Sequence, residues 1–391
     1  MSSPAAHPDP PLSRATGAAF LACSWTWVIG MYLPVLLIED FGWPGWIAFV
    51  VPNVIGAASV GFLLRSRAAC DRFLREHRIA IALFGVATLC LHGYFLGGVH
   101  GMFGIGEAVG RSAAEQWAIT IAIALLPIGI GWLGVRARGS ILPRLAWLAL
   151  ALSIVVLTLG WRTSNGATFT MPPASGAYPP LQLAGLAPAL ALGFLTCPFL
   201  DASLLRIRRS FDDARIPFAV GFCVPFLGLV TMTALYAQGM LGIGVLSWYV
   251  LAHIAVQSCF TIAAHMREMP ELLPVRGVAS GRTGVALLLG LVVLCSIAGA
   301  VTLRAGGFDL GYTVLLSLYA LPFPAYVWIV CLGWGRPMKP RLVALGAALV
   351  LATPLFVYGA LLEHWMWLIP GVAVVLVAPL VARLITPASD R

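Results

Sequence analysis

The chain has 391 residues, of which 60% are hydrophobic and only 10% are charged, and its mean hydropathy is +0.94. A domain that folds in water carries about 25% charged residues, so this composition excludes an ordinary soluble fold. The net charge of +9 is carried almost wholly by arginines. These arginines fall in short clusters between apolar runs and not in one stripe, which indicates a membrane protein and not a nucleic-acid-binding one.

The cysteines and the amino-terminal residues predict neither a covalent framework nor a removable leader. No two of the eight cysteines have C-x-x-C spacing, and nearly all lie in apolar segments, where cysteine acts as a small hydrophobe. We therefore predict no disulfide framework, no metal cluster and no cofactor. The first 13 residues lack the charged region and cleavage site of a signal peptide, so we expect residues 1–16 to form a cytoplasmic tail.

Twelve segments are apolar enough and long enough to cross a bilayer, which takes about 20 residues. Lipid cannot satisfy bare backbone groups, so these segments should be helices packed as a bundle. In chain order the predicted spans 1 to 12 are 17–38, 44–64, 79–98, 117–135, 143–160, 183–205, 216–237, 245–264, 284–303, 312–333, 342–361 and 365–384. The predicted fold is an all-α polytopic membrane domain, 17–384, followed by a cytoplasmic tail, 385–391.

The charges between the spans predict the orientation of the chain. With the amino terminus inside, nearly all of the 24 Lys and Arg residues fall in inside regions. Only three fall in outside loops: Arg111, Arg162 and Arg304. A missed or extra span would scramble this alternation from that point onward. We therefore predict twelve spans in the cell membrane with both termini in the cytoplasm.

Two spans carry helix-breaking residues near mid-bilayer. Span 1 has Gly30 and Pro34 just past its midpoint, and span 6 has Pro198 near its centre. Proline removes a backbone donor and clashes with the preceding turn of a helix. Transporters commonly bind their substrates where such discontinuous helices expose backbone groups, so these two spans are candidates for a binding site.

Spans 2 and 7 share a short phrase that suggests an internal repeat. Span 2 contains Phe-Val-Val-Pro52 and span 7 contains Phe-Cys-Val-Pro225. Segments five spans apart run in opposite directions, so a repeat of five plus five helices would be inverted. It would comprise 17–160 and 183–333, with 342–384 as two extra helices. The alternative is a chance match, because proline kinks are frequent in membrane helices.

This arrangement resembles the LeuT-type fold of the amino acid–polyamine–cation and sodium–solute symporter superfamily. The resemblance rests on topology over most of the chain, with no motif that assigns a subfamily. In that fold a sodium ion is held by hydroxyls on span 8 and by carbonyls of the unwound span 1. The resemblance therefore implies an ion site at Ser258 and Thr261 together with the backbone of residues 26–30. The alternative is that these hydroxyls bond to their own helix.

Several residues in and around the first and sixth spans are candidates for contact with a solute. Trp25 and Trp27 could form an aromatic pocket, and Gly30 and Cys197 lie beside the suspected helix breaks. Asn53 follows Pro52 at the centre of span 2, where its amide could contact a solute or bridge to the carbonyl that the proline frees. Tryptophans also populate the bilayer interfaces, but Trp27 lies nearer to mid-membrane.

Ionisable and amide side chains inside the spans form a short list, and each is a functional candidate because burial in lipid is costly. His253 and Gln257 lie one turn apart on span 8, where they could bind a solute or relay a proton. They could equally bond to neighbouring helices. Asp201 follows the suspected break in span 6 and has no cation at i+3 or i+4. Its partner is then a cation on another helix or a bound ion. The alternative is a hydrated aspartate at the membrane interface, close to Arg206 and Arg208.

The function that these features favour is secondary transport of a small neutral or zwitterionic solute by alternating access. The solute would lie between spans 1, 2, 6 and 8, with Na⁺ or H⁺ as the coupling ion and no nucleic-acid partner. The alternatives are a membrane-embedded enzyme acting on a lipid-linked substrate through Glu39 and Asp40, a non-transporting sensor or scaffold, and a channel. No catalytic or nucleotide-binding motif is present in the sequence.

Overall fold

The computed structural model describes residues 12–102, 112–136, 141–163, 178–242, 248–273, 281–332 and 337–385. These residues form helices, and no strand occurs among them, so the predicted all-α class is confirmed. Most of the predicted amino-terminal tail and nearly all of the carboxy-terminal tail lie outside the described residues.

The first half of the chain corresponds to predicted spans 1 to 5. Its helices are α1 (Arg14–Trp25), α2 (Val28–Phe41), α3 (Trp43–Leu63), α4 (Arg67–Glu76), α5 (Arg78–Met102), α6 (Ala113–Arg136) and α7 (Ile141–Thr163). Span 1 is divided between α1 and α2. The short helix α4 is rich in arginine and lies between spans 2 and 3.

The second half contains spans 6 to 12 and several non-α turns. Its α-helices are α8 (Pro180–Thr196), α9 (Ala202–Ser210), α10 (Arg215–Gly221), α11 (Leu227–Gly242), α12 (Trp248–Leu272), α13 (Gly281–Arg304), α14 (Phe308–Ala320), α15 (Pro322–Tyr326), α16 (Met338–Phe356) and α17 (Leu368–Ile385). Segments of 3₁₀-helix occupy Cys197–Leu200 and Trp365–Trp367, and π-helical turns occupy Phe222–Phe226, Val327–Cys331 and Val357–Leu361.

Ten helices in the described residues are long and apolar enough to cross a membrane, and the bent pair α1 and α2 makes an eleventh span. These eleven coincide with predicted spans 1 to 3 and 5 to 12. The remaining predicted span, 117–135, lies within the 24-residue helix α6. Large apolar side chains are exposed on the outer helices, with Val350 and Leu384 each 75% exposed. An apolar exposed surface of this kind is typical of helices that face lipid and not water.

The break in span 1 lies at Thr26 and Trp27, where α1 and α2 meet at an angle of 60°. Side chains at the break satisfy the carbonyls that end α1: the Thr26 hydroxyl donates to Ala22 O at 2.8 Å, and the Trp27 indole donates to Ser24 O at 2.7 Å. Gly30 and Pro34, the residues that suggested a break from the sequence, lie inside α2 and do not form it.

The break in span 6 lies at the 3₁₀ turn that contains Pro198, as predicted. Asp201 ends this turn and caps the next helix, α9. Its Oδ1 accepts hydrogen bonds from the backbone N–H groups of Ser203 at 2.7 Å and Leu204 at 3.1 Å. A carboxylate at this position satisfies free amide donors and complements the positive end of the helix dipole. In both broken spans, side chains therefore form hydrogen bonds with the backbone groups that the break leaves free.

The two broken spans lie at the centre of the bundle. Helix α1 packs against α7, α10 and α12, while α2 packs against α3 and α11. Helix α8 contacts α3, α14 and α17, and α9 contacts α4 and α12. The last two helices, α16 and α17, pack on each other and share a separate apolar core with α8 and the Val327–Cys331 turn. The centre of the bundle is therefore where the helices are interrupted.

Candidate functional site

A cavity of about 160 Å³ lies between the two broken spans and the helices around them. Its walls come from α2, α3, α8 and α14, and the turns near Ala360 and Trp365 border its mouth. Five of the predicted substrate-binding residues line it: Trp25, Trp27, Gly30, Asn53 and Cys197. Helix α14, which the sequence did not single out, supplies Tyr312, Thr313, Leu316, Ser317 and Tyr319.

Aromatic rings form the floor of the cavity. The Trp27 ring lies 4.5 Å from the Trp25 ring and 5.8 Å from the Tyr319 ring, measured between centroids. The Trp25 indole donates to Asn53 Oδ1 at 2.7 Å, which joins the end of α1 to the middle of α3. Tyr319 is positioned in turn by the hydroxyl of Thr88, 3.0 Å away. The floor is therefore held by hydrogen bonds between separate spans.

The lining of the cavity is mostly apolar, and its charge lies at the mouth. Among the described lining residues, Asp40 is the one with a charged side chain. Near the mouth, the Tyr178 hydroxyl donates to Glu363 Oε2 at 2.5 Å. Burial, followed by this carboxylate, raises the pKa of the Tyr178 hydroxyl above its ordinary value, so the tyrosine stays a donor at neutral pH.

Two predicted residues on span 8 lie outside the cavity. Gln257 donates from Nε2 to Ser153 Oγ at 2.8 Å, which joins α12 to α7. His253 is buried with its ring 6.2 Å from that of Tyr236. The cavity is therefore lined by α14 and not by α12, the helix of span 8. Helix α12 packs against α1 and α7 instead.

Both hydroxyls of the predicted ion site are buried, and one of them contacts the last turn of α1. Thr261 Oγ1 donates to Cys23 O at 3.3 Å. Ser258 is fully buried, and its hydroxyl has no hydrogen-bond partner among the described residues. Thr261 therefore meets α1 at Cys23 and not at the predicted backbone of residues 26–30; hydroxyl and carbonyl oxygens of this kind suit a hard cation.

Below the cavity floor, Asp201 faces a histidine that sequence reasoning missed. Asp201 Oδ2 lies 3.6 Å from His265 Nε2, and both side chains are fully buried. The predicted span 8 ended at residue 264, whereas α12 continues to Leu272. His265 lies four residues after Thr261, so the two share one face of a helix. This spacing could have identified His265 from the sequence.

No family model matches the sequence, and no curated protein matches it. Among solved structures, the chain is similar to the substrate-bound, outward-open state of a Na⁺-coupled sialic acid symporter. The TM-score is 0.55 and the identity 10%, over 96% of this chain and 91% of that one. This likeness shows the fold: the chain is a polytopic helical membrane protein with the LeuT-type architecture that its sequence resembled.

Proposed function

We propose that the protein is a secondary transporter that moves a small solute across the cell membrane by alternating access. The observation that carries this proposal is the cavity that opens at one end of the bundle and ends at the two helix breaks. Its floor consists of Trp27 and Tyr319, so the solute would lie against the interrupted backbone of spans 1 and 6. The positive-inside charge pattern supports an outward-facing mouth.

The lining of the cavity supports a neutral or zwitterionic solute. Its deep part carries no charged side chain among the described lining residues, and an uncompensated charge there would be costly. The amino-terminal end of α2, at Gly30, and the carboxy-terminal end of α8, at Gly193, both border the space. The first favours a carboxylate and the second an ammonium group because of their opposite helix dipoles. A zwitterion would satisfy both ends.

Sodium at the interface of span 8 with span 1 is one candidate for the coupling ion. Ser258 Oγ, Thr261 Oγ1 and the carbonyl of Cys23 would supply oxygen ligands, and the buried Ser258 hydroxyl lacks another partner in the described chain. The similarity to a Na⁺-coupled symporter supports this choice. We propose Ser258 and Thr261 as the side chains that hold the ion.

A thermal-shift screen of the purified protein tests the proposed site. It covers amino acids, nucleobases, sugars and osmolytes, each with Na⁺ or K⁺. A ligand at about 100 times its Kd stabilises the folded state by about 2.7 kcal/mol. Asn53→Ala, in the cavity wall, should reduce the shift, whereas His253→Gln, buried outside the cavity, should retain it. If sodium is the coupling ion, Ser258→Ala should remove the sodium dependence and Ser59→Ala should preserve it.

Divalent cations and lipid-linked sugars, added to the same screen, provide the result that would overturn the proposal. Stabilisation only by divalent cations or lipid-linked sugars, lost in Asp40→Asn and retained in Asn53→Ala, would place the binding site at the acidic mouth. That pattern would favour the membrane-embedded enzyme over the transporter. If His253→Gln abolishes the thermal shift and Asn53→Ala leaves it intact, the solute binds near His253 and not in the cavity.

A further inference from the structure

We infer that Asp201 and His265 together form a proton-binding site directly beneath the floor of the solute cavity. Asp201 Oδ2 and His265 Nε2 are 3.6 Å apart, and each side chain is fully buried. Neither atom has a hydrogen-bond partner among the described residues. One proton between them would join a carboxylate to an imidazole and satisfy Oδ2 and Nε2 at once, while Nδ1 of His265 also has no partner among the described residues.

The two oxygens of Asp201 have different surroundings. Oδ1 accepts from the Ser203 backbone and hydroxyl, at 2.7 and 2.6 Å, and from the Leu204 backbone. These donors stabilise the charged carboxylate without a counter-ion. Oδ2 is free of them and faces the imidazole. Without the added proton the pair carries one negative charge in the interior, and with it the pair is neutral overall, so the site takes up one proton.

A proton suits this pair better than a metal ion. Sodium and divalent cations require several oxygen ligands, whereas the pair presents one free carboxylate oxygen and one imidazole. The Trp27 ring closes one side, with its centroid 5.3 Å from that of His265 and edge-on to it. In the described residues no group of three or more His, Cys, Asp or Glu side chains is placed to hold a metal.

Other titratable groups surround the pair without completing it. His92 on α5 also lies beside Trp27, with 6.3 Å between ring centroids, and it is near enough to His265 to interact with it electrostatically. Its Nδ1 bonds to Thr88 O at 2.8 Å, and its Nε2 has no hydrogen-bond partner among the described residues. One turn beyond His265 on α12, Glu268 pairs with Arg206 of α9. The elements packed around the pair also carry Tyr319 on α14, Cys197 in the 3₁₀ turn, Cys23 on α1, Cys70 on α4, Cys90 on α5, Arg208 on α9, and His253, Cys259 and Arg267 on α12.

The position of Trp27 connects the proton site to the solute cavity. One side of its ring lines the cavity and another contacts His265. A movement of Trp27 would therefore change access to the pair. Asp201 is also the cap of α9, so a proton that His265 shares with its Oδ2 weakens the interaction of the carboxylate with the positive end of that helix. Proton binding would in this way loosen α9, which the Arg206–Glu268 pair ties to α12.

The proton site is tested by titrating tryptophan fluorescence in the purified full-length protein. A protonated imidazole quenches a neighbouring indole, and the difference between wild type and Trp27→Phe isolates the Trp27 signal. We expect this signal to titrate with pH in the wild type and to lose its titration in His265→Gln. In Asp201→Asn the midpoint should move to lower pH, because the carboxylate no longer favours the proton. His253→Gln, on the same helix, should titrate like wild type.

Two further measurements keep the result decisive. Thermal melting identifies any variant that has not folded, and infrared difference spectra of the wild type should show a protonated carboxyl or imidazolium signal that the isosteric Asp201→Asn variant alters. Unchanged titration in both folded variants would overturn the assignment. A midpoint that depends on Na⁺ but not on K⁺ would assign the pair to sodium instead.

Coupling of this proton to solute movement rests on the proposed transport function, whereas proton binding does not. A flat solute screen with an intact Trp27 titration would therefore count against transport and leave the proton site in place. A solute that binds in the cavity would support the proposed transport function. If the Trp27 titration is then unaltered in His265→Gln and Asp201→Asn, the proton site alone is wrong.

Discussion

Gly299→Leu is expected to lower the thermal stability strongly, because α5 and α13 touch at this glycine. A Cβ atom at position 299 would overlap the backbone carbonyl oxygen of Tyr94. On the opposing helix, Gly93 and Gly97 likewise admit the backbone carbonyls of Val292 and Ser296. Small residues four apart allow membrane helices to approach this closely. Overpacking typically costs about 1–3 kcal/mol, and a rigid backbone neighbour puts this site at the upper end.

Gly290→Leu is the matched control, because it lies on the same helix with nothing within 4 Å of its added Cβ. Its position is exposed on the surface of the bundle, where leucine is as apolar as lipid and a better helix former than glycine. The measurement is the fraction of monodisperse protein that survives heating in detergent. Equal losses for the two variants would contradict the close contact between α5 and α13.

Arg208→Met is expected to lower the melting temperature strongly, because Arg208 is a buried cation that donates to three backbone carbonyls. Its guanidinium donates to the carbonyl of Leu64 at the end of α3, to Phe211 O at 2.8 Å and to Asp212 O at 3.5 Å. Methionine has a similar length and no donor. Hydrogen bonds from a charged group contribute about 1.5–3 kcal/mol each, so the loss should be about 3 kcal/mol or more.

The adjacent residue provides the control for this prediction. Arg209 is 47% exposed and pairs with Asp71 at 2.8 Å, a surface ion pair of the kind that contributes about 0–1 kcal/mol. Arg209→Met should therefore change the melting temperature little. If it destabilised the protein as much as Arg208→Met does, the effect would come from general loss of positive charge and not from the buried contacts.

The membrane-spanning architecture could be predicted because the bilayer imposes local rules. Each crossing needs a long apolar helix, and the arginines separate one crossing from the next. The break in span 6 was also predictable, since Pro198 cannot continue the hydrogen-bond ladder. The break in span 1 was misplaced because Thr26 and Trp27 are not helix breakers. They end α1 through side-chain bonds to Ala22 and Ser24, which a proline or glycine search does not detect.

Two parts of the site depended on contacts distant in sequence. The α14 wall, with Tyr312 and Tyr319, lines the cavity only because span 10 packs beside the broken spans. His265 was missed because the predicted span 8 ended one residue earlier, at 264. In the structure α12 continues, and Glu268 is tolerated there because Arg206 of α9 pairs with it. The candidates on span 1 needed no such information, since Trp25 and Trp27 are local to the break.

The most direct test of an outward-facing solute cavity is the labelling of introduced cysteines in right-side-out membrane vesicles. Ser317→Cys places a thiol on the α14 wall of the cavity, and Ser210→Cys places one at the exposed end of α9. A membrane-impermeant thiol reagent is added outside, before and after permeabilisation, with wild type as the baseline for the native cysteines. An outward-facing cavity predicts that Ser317→Cys reacts from outside and is protected by a solute that stabilises the protein, while Ser210→Cys reacts only after permeabilisation. A Ser317→Cys thiol that reacts only from inside, or a Ser210→Cys thiol that reacts from outside, would contradict it.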